Sequence, residues 1–257
     1  MKVIKHLVMF SGGICSWATA KRVVERRGKE GVVLLFADTK MEDEDLYRFL
    51  DEAAANVGVP IVKIADGRTP WEVMKKERMI ANSKIDPCSK ILKRNLLATW
   101  VEQHCSPETV TVHLGLLWDE EFRLRRVQER VKPWRYEAPM TERPWITKGA
   151  MFRMLAREGI AAPRLYAMGF AHNNCGGFCV KAGQAHFANL LRTMPERYAF
   201  HEAKEEEMRA IVGNHSILLD RRNGVRVPLT LREFRLRIEA NEEYDLFDLG
   251  GCGCAVE

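Results

Sequence analysis

The sequence predicts an α/β protein with a doubly wound parallel sheet and a small cysteine-bearing C-terminal extension. Strand and helix patterns alternate from the N-terminus to Ala65, and this βαβαβ order requires parallel strands joined by right-handed crossovers. The second strand, 32–37, is a continuous aliphatic and aromatic run, as expected of a strand covered on both faces. With 257 residues, 46% of them hydrophobic, the chain can bury a full core, which excludes a disordered protein or a small disulfide scaffold.

Short apolar runs and helical spacing locate the elements in order. The predicted strands are 6–10, 32–37, 60–65 and 110–116. The predicted helices are about 16–27, 42–57, 71–79, 89–104, 148–158, 183–192, 202–211 and 231–238. The Arg-, Trp- and Pro-rich stretch 118–144 is predicted to be irregular, and a hairpin is predicted about residues 222–224. Because charged helices and a Gly/Cys tail follow residue 195, we divide the chain into a main domain, 1–195, and an extension, 196–257.

Charge and cysteine content narrow the classes of function. A formal net charge of +5 allows an anionic ligand such as a nucleotide without demanding a nucleic acid. No apolar run approaches the roughly 18 residues of a membrane span, and the N-terminal stretch does not resemble a signal peptide. We therefore expect a cytoplasmic protein with no membrane partner. In that reducing compartment, seven cysteines are better explained by metal, cluster or catalytic roles than by disulfides.

A small polar loop joins the first strand to the first helix, where residues 11–16 read Ser-Gly-Gly-Ile-Cys-Ser. Glycine lets the backbone approach an anion closely, and a helix N-terminus directs N–H groups with partial positive charge toward it. In an open parallel sheet, ligands bind beyond the carboxyl ends of the strands, which is where this loop lies. The sequence therefore predicts a phosphate or sulfate site formed by Ser11, Gly12, Gly13 and Ser16.

This loop resembles that of the N-type ATP pyrophosphatases and of the phosphoadenosine phosphosulfate (PAPS) reductase family, both in the adenine nucleotide alpha-hydrolase superfamily. Asp38-Thr39 at the end of the second strand is similar to the family's Asp-Thr stretch. Residues 87–93 are similar to its Cys-Cys-x-x-x-Lys segment, with Ser89 in place of the second Cys. Residues 115–126 resemble a glycine-rich strand end followed by an acidic residue and Arg. The similarity extends over roughly residues 6–182.

The resemblance implies that residues 1–195 bind an adenine nucleotide, either ATP, with Mg²⁺ as its accompanying cation, or PAPS or adenylylsulfate (APS). The implied nucleotide contacts are Ser11, Gly12, Gly13, Ser16, Asp38, Thr39, Lys90, Gly115, Arg123 and Arg126. Asp38 would lie beside the ribose or base, while the Lys and Arg side chains would neutralise the anion. We expect Lys93 and the thiols of Cys88 and Cys254 to carry the catalytic step.

Two departures from the family pattern bear on the reaction. Members that cleave ATP usually carry Asp where this chain has Cys15 and often Lys where it has Ile14, which disfavours pyrophosphate cleavage. The PAPS reductases use a C-terminal Glu-Cys-Gly-(Ile/Leu)-His motif, whereas residues 250–254 read Gly-Gly-Cys-Gly-Cys. Cys15 also lies at a helix N-terminus, a position that lowers the pKa of a thiol, so a reactive role for Cys15 is a minor further prediction.

Four cysteines form the predicted metal site. Cys175 and Cys179 lie on a loop whose two glycines disfavour a helix, and Cys252 and Cys254 lie in the tail. Three arrangements stay open. In the first, all four thiolates bind one zinc ion. In the second, Cys88, Cys175, Cys179 and one tail cysteine bind an iron-sulfur cluster, similar to that of APS reductases. In the third, three cysteines bind a cluster with one open iron position, similar to that of cluster-dependent tRNA thiolases.

The sequence thus predicts a PAPS reductase-like enzyme that performs sulfur transfer or sulfonucleotide reduction, supplied by a reductant or sulfur-donor protein. The alternative enzyme is an ATP-dependent sulfurtransferase that thiolates tRNA or DNA, and the Arg-rich region after residue 220 favours it. The alternative without catalysis is a nucleotide-binding module in which zinc only fastens the tail.

Overall fold

A five-stranded parallel sheet forms the centre of the protein. The computed structural model describes residues 3–222, 225–248 and 250. The strands of this sheet are β1 (His6–Met9), β2 (Val32–Asp38), β3 (Ile61–Ala65), β4 (Thr111–His113) and β5 (Arg135–Glu137). They follow the spatial order β3-β2-β1-β4-β5, and every neighbouring pair is parallel. The predicted parallel α/β sheet is confirmed, and β5 extends it by one short edge strand.

The helices alternate with the strands along the chain, as a parallel sheet requires. The α-helices of the described residues are α1 (Ile14–Arg27), α2 (Glu44–Val57), α3 (Pro70–Glu77), α4 (Pro87–Ser89), α5 (Leu96–His104), α6 (Glu121–Arg130), α7 (Lys148–Arg157), α8 (Arg164–Ala167), α9 (Gln184–Thr193), α10 (Pro195–Val212) and α11 (Leu231–Glu239). A π-helical segment, Lys90–Asn95, joins α4 to α5 without a break.

Helices cover both faces of the sheet, because successive strand residues point to opposite sides. Val8 and Phe10 belong to a hydrophobic cluster with residues of α1, α2 and α7. Leu7 and Met9 belong to a second cluster with residues of α5 and α6. All four side chains are 9% exposed or less. This two-sided burial confirms the doubly wound architecture.

The C-terminal extension shares a hydrophobic cluster with the preceding chain. Tyr198 of α10 and Phe234 of α11 are buried in the same cluster as Trp71, Phe178 and Phe187. The predicted boundary at residue 195 falls at the start of α10, and this cluster includes residues from both sides of it. The division into two domains stays a prediction.

A hairpin lies between α10 and α11. Its strands, β6 (Leu218–Arg222) and β7 (Val225–Leu229), pair antiparallel, as the sequence predicted for this region. The carboxylate of Glu205 on α10 is fully buried and accepts hydrogen bonds from the backbone N–H groups of Ile217 (2.8 Å) and Leu231 (2.6 Å). Glu205 therefore ties α10 to the approach of β6 and to the first residue of α11.

The prediction of an irregular segment over residues 118–144 is wrong. This segment contains a 3₁₀ turn at Trp118–Glu120, helix α6, strand β5 and a second 3₁₀ turn at Pro139–Thr141. Helix α6 fully buries only Val127, and Leu124 beside it is partly buried, so its apolar stripe is narrow. Strand β5 is too short to show alternation.

Within the described residues, no helix combines the length and the apolar character that crossing a membrane would require.

Candidate functional site

The predicted phosphate loop lies at the carboxyl end of β1, in the middle of the sheet. Gly12 has a φ of +75°, in the left-handed region that favours glycine, and a Cβ added there would overlap the Leu46 side chain of α2. Gly13 is the N-cap of α1, in extended conformation. The sequence Gly12-Gly13 is therefore what allows the chain to turn from strand to helix so close to α2.

Hydrogen bonds hold the first turn of α1 in place. The Ser16 hydroxyl donates to the Gly13 carbonyl at 2.8 Å, and the Ile14 N–H donates to the hydroxyl of Tyr166 at 3.2 Å. A Cβ on Gly13 would lie only 3.2 Å from that same hydroxyl. Tyr166 is thus a partner of the loop that sequence reasoning missed, since 152 residues separate it from Ile14.

Gly115 packs directly on the loop. The chain leaves the sheet after β4, which ends at His113 and so stops short of the predicted end of the strand at Leu116. A Cβ on Gly115 would lie 3.1 Å from both the backbone N and the Cα of Ser16. The absence of a side chain at Gly115 therefore brings two backbone segments together at the edge where the predicted phosphate would bind.

A cavity of about 350 Å³ opens beside this loop, and we call it the loop cavity. Its polar and charged lining includes Ser11, Ser16, Lys93, Arg123 and Lys148. The three cations come from three different parts of the chain, whereas Glu120 is the acidic residue in the lining and forms an ion pair with Arg123. The volume is within the range of small-molecule sites, and the excess of cations suits an anionic ligand.

Asn173 lines the loop cavity and carries a buried acceptor that has no donor among the described residues. Its side chain is 2% exposed, and its Nδ2 donates to the Gly12 carbonyl at 3.3 Å. That bond fixes the amide orientation, because a flipped amide would set two oxygens against each other. The buried Oδ1 then lacks a partner in the part of the chain described. An unpaired buried acceptor costs about 1–3 kcal/mol, so a bound N–H or O–H group would remove a real penalty.

Lys148 and Cys15 are neighbours in the wall of the loop cavity, and the structure corrects the prediction for Cys15. Burial raises the pKa of the Cys15 thiol to about 11, although Lys148 opposes this shift. Burial also lowers the pKa of Lys148, whose ammonium bonds the Ala171 carbonyl and lies 4.9 Å from the centre of the Tyr166 ring. Desolvation therefore outweighs the helix N-terminus, and the Cys15 thiol stays protonated near neutral pH.

Lys93 lies in the wall shared by two cavities, and its partner is Glu42. The Lys93 ammonium lies 3.4 Å from the Glu42 carboxylate, and both side chains are buried. Glu42 also accepts hydrogen bonds from the Thr39 hydroxyl (3.0 Å) and from the backbone N–H of Cys175. Glu42 is another residue that sequence reasoning missed, as are Asn173 and Lys148. The sequence feature that could have indicated Glu42 is its position at the start of the predicted helix after Asp38.

Five predicted nucleotide contacts do not line the loop cavity, namely Gly12, Asp38, Thr39, Lys90 and Arg126. The carboxylate of Asp38 accepts bonds from the Tyr47 hydroxyl (2.9 Å) and from the backbone and side chain of Lys40. Lys90 is exposed, although nearby Lys93 is buried. Arg126 is also exposed, with its guanidinium 5.5 Å from the centre of the Phe122 ring.

Three of the predicted cysteine ligands line a second, smaller cavity of about 20 Å³, which we call the cysteine cavity. These are Cys88, Cys175 and Cys179, and Thr39 and Lys93 lie in the same wall. The cysteines of the described residues form no disulfide with one another. As they stand, no three His, Cys, Asp or Glu side chains of the described residues are placed to hold a metal ion. The remaining two predicted ligands lie in the tail, beyond the described residues, so the metal site stays a prediction.

The loop that carries Cys175 and Cys179 turns through the left-handed backbone region. Cys175 and Gly176 have φ values of +51° and +58°, and a Cβ on Gly176 would overlap the Arg197 guanidinium. Arg197 donates to the Gly176 carbonyl at 2.6 Å and pairs with the fully buried Asp43, which also pairs with Arg164. A buried carboxylate and two arginines thus brace this loop.

The end of the described chain approaches both cavities. The Asp248 carboxylate accepts from the backbone N–H of Gln184 at 3.0 Å, and the Asp248 carbonyl accepts from Ala185 N–H at 3.0 Å. Gly250 then pairs with Ala182, three positions after Cys179, and lines the loop cavity. The chain up to Gly250 is therefore fastened to the start of α9, at the edge of the predicted site.

Comparisons with known proteins give structural similarity alone. No family model matches the chain, and no curated protein matches it. Among solved structures, the chain is similar to the PAPS reductase from Candida auris in a phosphate complex, with 14% identity, 66% of this chain and 79% of that chain covered, and a TM-score of 0.46. It is also similar to the NH3-dependent NAD synthetase from Campylobacter jejuni with a nitrate ion, with 12% identity, coverage of 80% and 82%, and a TM-score of 0.40.

Proposed function

We propose that the chain is an enzyme that binds an adenine nucleotide in the loop cavity and performs sulfur transfer or sulfonucleotide reduction, in the manner of the PAPS reductase-like group. The observation that supports this most directly is the loop itself. Gly12 and Gly13 bring the N-terminus of α1 to a cavity whose lining holds Lys93, Arg123 and Lys148. Helix N-termini and converging cations are a general solution for binding phosphate or sulfate.

The loop and the cations take the anionic part of the nucleotide in this proposal. Ser11 supplies a hydroxyl donor beside the helix terminus, where the Ser16 hydroxyl holds the first turn, and Lys93 neutralises charge on the group that leaves. Asn173 accepts from a ribose hydroxyl. The ribose is attached directly to the phosphates, whereas the amino group of adenine lies at the far end of the base. The Asn173 amide is bonded to the phosphate loop at Gly12, so the ribose is the nearer donor.

The tail cysteines are within chain reach of this site. Cys252 and Cys254 follow Gly250 by two and four positions, which span at most about 7 and 14 Å of extended chain. Gly250 itself lines the loop cavity and pairs with Ala182 near Cys179. We therefore keep Cys175, Cys179, Cys252 and Cys254 as the proposed metal ligands, with Cys88 as the alternative.

Sulfonucleotide reduction balances without a metal step in the arrangement whose metal ligands are Cys175, Cys179 and Cys252, so that Cys88 and Cys254 act as the reacting thiols. The Cys254 thiolate attacks the sulfur of the sulfuryl group, and the nucleotide phosphate leaves with the electron pair of the broken S–O bond. The Cys88 thiolate then attacks the Cys254 sulfur, which releases sulfite and forms a Cys88–Cys254 disulfide. A dithiol protein reduces this disulfide and is itself oxidised. A zinc ion or cluster bound by the thiolates would fasten the cysteine loop to the tail.

Binding of ATP, APS and PAPS to purified protein tests the site. Gly13→Val places a side chain against the Tyr166 hydroxyl, so we expect nucleotide binding to be lost while the folded state persists. Gly149→Ala is the matched control, because a Cβ there meets only the end of the Arg153 side chain, at 3.7 Å. Unchanged affinity in the Gly13→Val protein would refute the loop assignment.

Product analysis tests the reaction, and metal analysis tests the cysteine set. Sulfite release from APS or PAPS with a dithiol reductant supports reduction. Anaerobic purification followed by iron, sulfide and zinc determination identifies the group held by the thiolates, since a cluster absorbs visible light and zinc does not. A colourless protein with one zinc ion would exclude the cluster arrangements.

The second candidate is an ATP-dependent sulfurtransferase that acts on tRNA or DNA. It would release pyrophosphate or inorganic phosphate from ATP only in the presence of the nucleic acid. An exposed aromatic surface beside the loop cavity favours this candidate.

A further inference from the structure

Three large aromatic side chains lie exposed near the mouth of the loop cavity. Trp118, Phe122 and Trp145 are 48%, 54% and 52% exposed. The rings of Trp118 and Trp145 stack on each other with centres 5.5 Å apart, although helix α6 and strand β5 lie between them in sequence. Stacked exposed tryptophan rings are a candidate interaction site.

Two arginines complete this surface, which we call the aromatic patch (Trp118, Phe122, Arg126, Arg143 and Trp145). The Arg143 guanidinium lies 4.7 Å from the centre of the Trp145 ring, and that of Arg126 lies 5.5 Å from the Phe122 ring. Neither arginine forms an ion pair with a carboxylate in the described part of the chain. The patch thus presents aromatic faces together with two guanidinium groups that no acidic side chain of the described residues neutralises.

The aromatic patch lies next to the loop cavity along the chain. Leu117 and Arg123 line the cavity, and they are the immediate sequence neighbours of Trp118 and Phe122. Trp118 and Phe122 are therefore each one residue away from the cavity wall.

We propose that the aromatic patch binds unpaired bases of a single-stranded polynucleotide and so presents one nucleotide to the loop cavity. Bases stack on exposed Trp and Phe rings, and Arg side chains pair with the phosphates between them. Charge complementarity selects this occupant, because the two unneutralised guanidinium groups and the +5 chain suit a polyanion. A duplex keeps its bases stacked inside and does not offer them to these rings. This inference rests on the second candidate function, the ATP-dependent sulfurtransferase. It specifies that the substrate of that enzyme is a single-stranded segment of the nucleic acid.

Binding of a fluorescently labelled 12-nucleotide poly(U) strand, followed by anisotropy at low salt, tests the proposal. We expect Trp145→Leu and Trp118→Leu to weaken binding by about tenfold or more, the range measured for loss of one stacked base. We expect Arg143→Gln to reduce the slope of log affinity against log salt by about 0.7, the value for one phosphate contact on a single strand.

The chain offers a matched control on α10. Phe200 is also 48% exposed and also lies beneath a cation, with the Lys204 ammonium 5.9 Å from its ring centre. Phe200→Leu and Lys204→Gln should leave binding of the strand unchanged. Equal loss in these variants and in Trp145→Leu would overturn the proposal, as would equally tight binding of a 12-base-pair duplex.

Two further measurements separate this proposal from its alternatives. The first is analytical sedimentation of the wild type and of Trp145→Leu. A dimer formed by the wild type but not by the variant would overturn the proposal, because a second copy of the chain would then cover the patch. ATP affinity of Trp145→Leu should equal that of the wild type. Retained binding of the strand together with absent ATP binding would refute the nucleotide site and leave the patch standing, whereas the reverse result would refute the patch alone.

Discussion

The buried carboxylate of Glu205 predicts how the stability of the folded chain depends on pH. Its side chain is fully buried, and burial raises its pKa to about 7 from 4.5, although the backbone N–H groups of Ile217 and Leu231 act in the opposite direction. The charged groups near it are Arg209, which lowers the pKa, and Glu206, which raises it. Desolvation of the carboxylate outweighs the two hydrogen bonds.

The sign and size of the effect follow from proton binding. Between pH 4.5 and 7 the folded chain holds a proton on Glu205 that the unfolded chain has released, so stability falls as the pH rises through this window. The stabilisation is fully present below pH 4.5 and is lost above pH 7. Each pKa unit corresponds to about 1.4 kcal/mol, so the two limits differ by about 3 kcal/mol.

Urea unfolding of wild type and Glu205→Gln at a series of pH values isolates this contribution. Glutamine does not ionise and leaves one N–H without an acceptor, which shifts its stability by a constant amount. We therefore expect the difference in unfolding free energy between the two proteins to change by about 3 kcal/mol from pH 4.5 to pH 8, in favour of the variant at high pH. Glu102→Gln, at an exposed position of α5 that does not act on the Glu205 pKa, is the control. Parallel pH curves for wild type and Glu205→Gln would refute the raised pKa.

Two further predictions concern the site. Asn173→Leu removes the buried acceptor, so we expect nucleotide affinity to fall by about tenfold and the preference of the wild type for ATP over 2′- or 3′-deoxy-ATP to disappear, as measured by calorimetry. An unchanged preference would show that Asn173 does not accept from the ribose. Gly183→Ala places a Cβ on the Asp248 carboxylate, so we expect the tail to detach and the thiols of Cys252 and Cys254 to react faster with a disulfide reagent. Equal rates in variant and wild type would contradict the fastening of the tail at α9.

Sequence periodicity predicted the fold where it was strong. β1 to β3 and α1 to α2 have continuous apolar runs or a clear apolar face, and the structure places them within about two residues of the prediction. The pattern failed over residues 118–144 for a physical reason. Helix α6 and strand β5 lie at the edge of the sheet, where few side chains are buried. Because few of their positions require apolar residues, their sequences show only a weak hydrophobic pattern.

The site was predictable only in its contiguous parts. One cavity is lined by Ser11, Gly13, Cys15, Ser16, Gly115, Lys93 and Arg123. The loop and Gly115 were expected there from their positions at strand ends, whereas Lys93 was expected from the family resemblance of residues 87–93. Tyr166 could not be found in this way, since its contact with the loop joins positions 152 residues apart. The same holds for Asn173 and Glu42, whose polar atoms acquire a role only once the chain has closed over them.

The Lys93–Glu42 ion pair lies between the two cavities. Lys93 lines both of them, and its partner Glu42 also accepts from the backbone N–H of Cys175. If the proposed nucleotide binds, its phosphate or sulfate would compete with Glu42 for the Lys93 ammonium, because both are anions. The Glu42 carboxylate would then keep the Cys175 N–H and the Thr39 hydroxyl as its donors. In the proposed function, this buried carboxylate is therefore the contact through which nucleotide binding would reach the start of the cysteine loop.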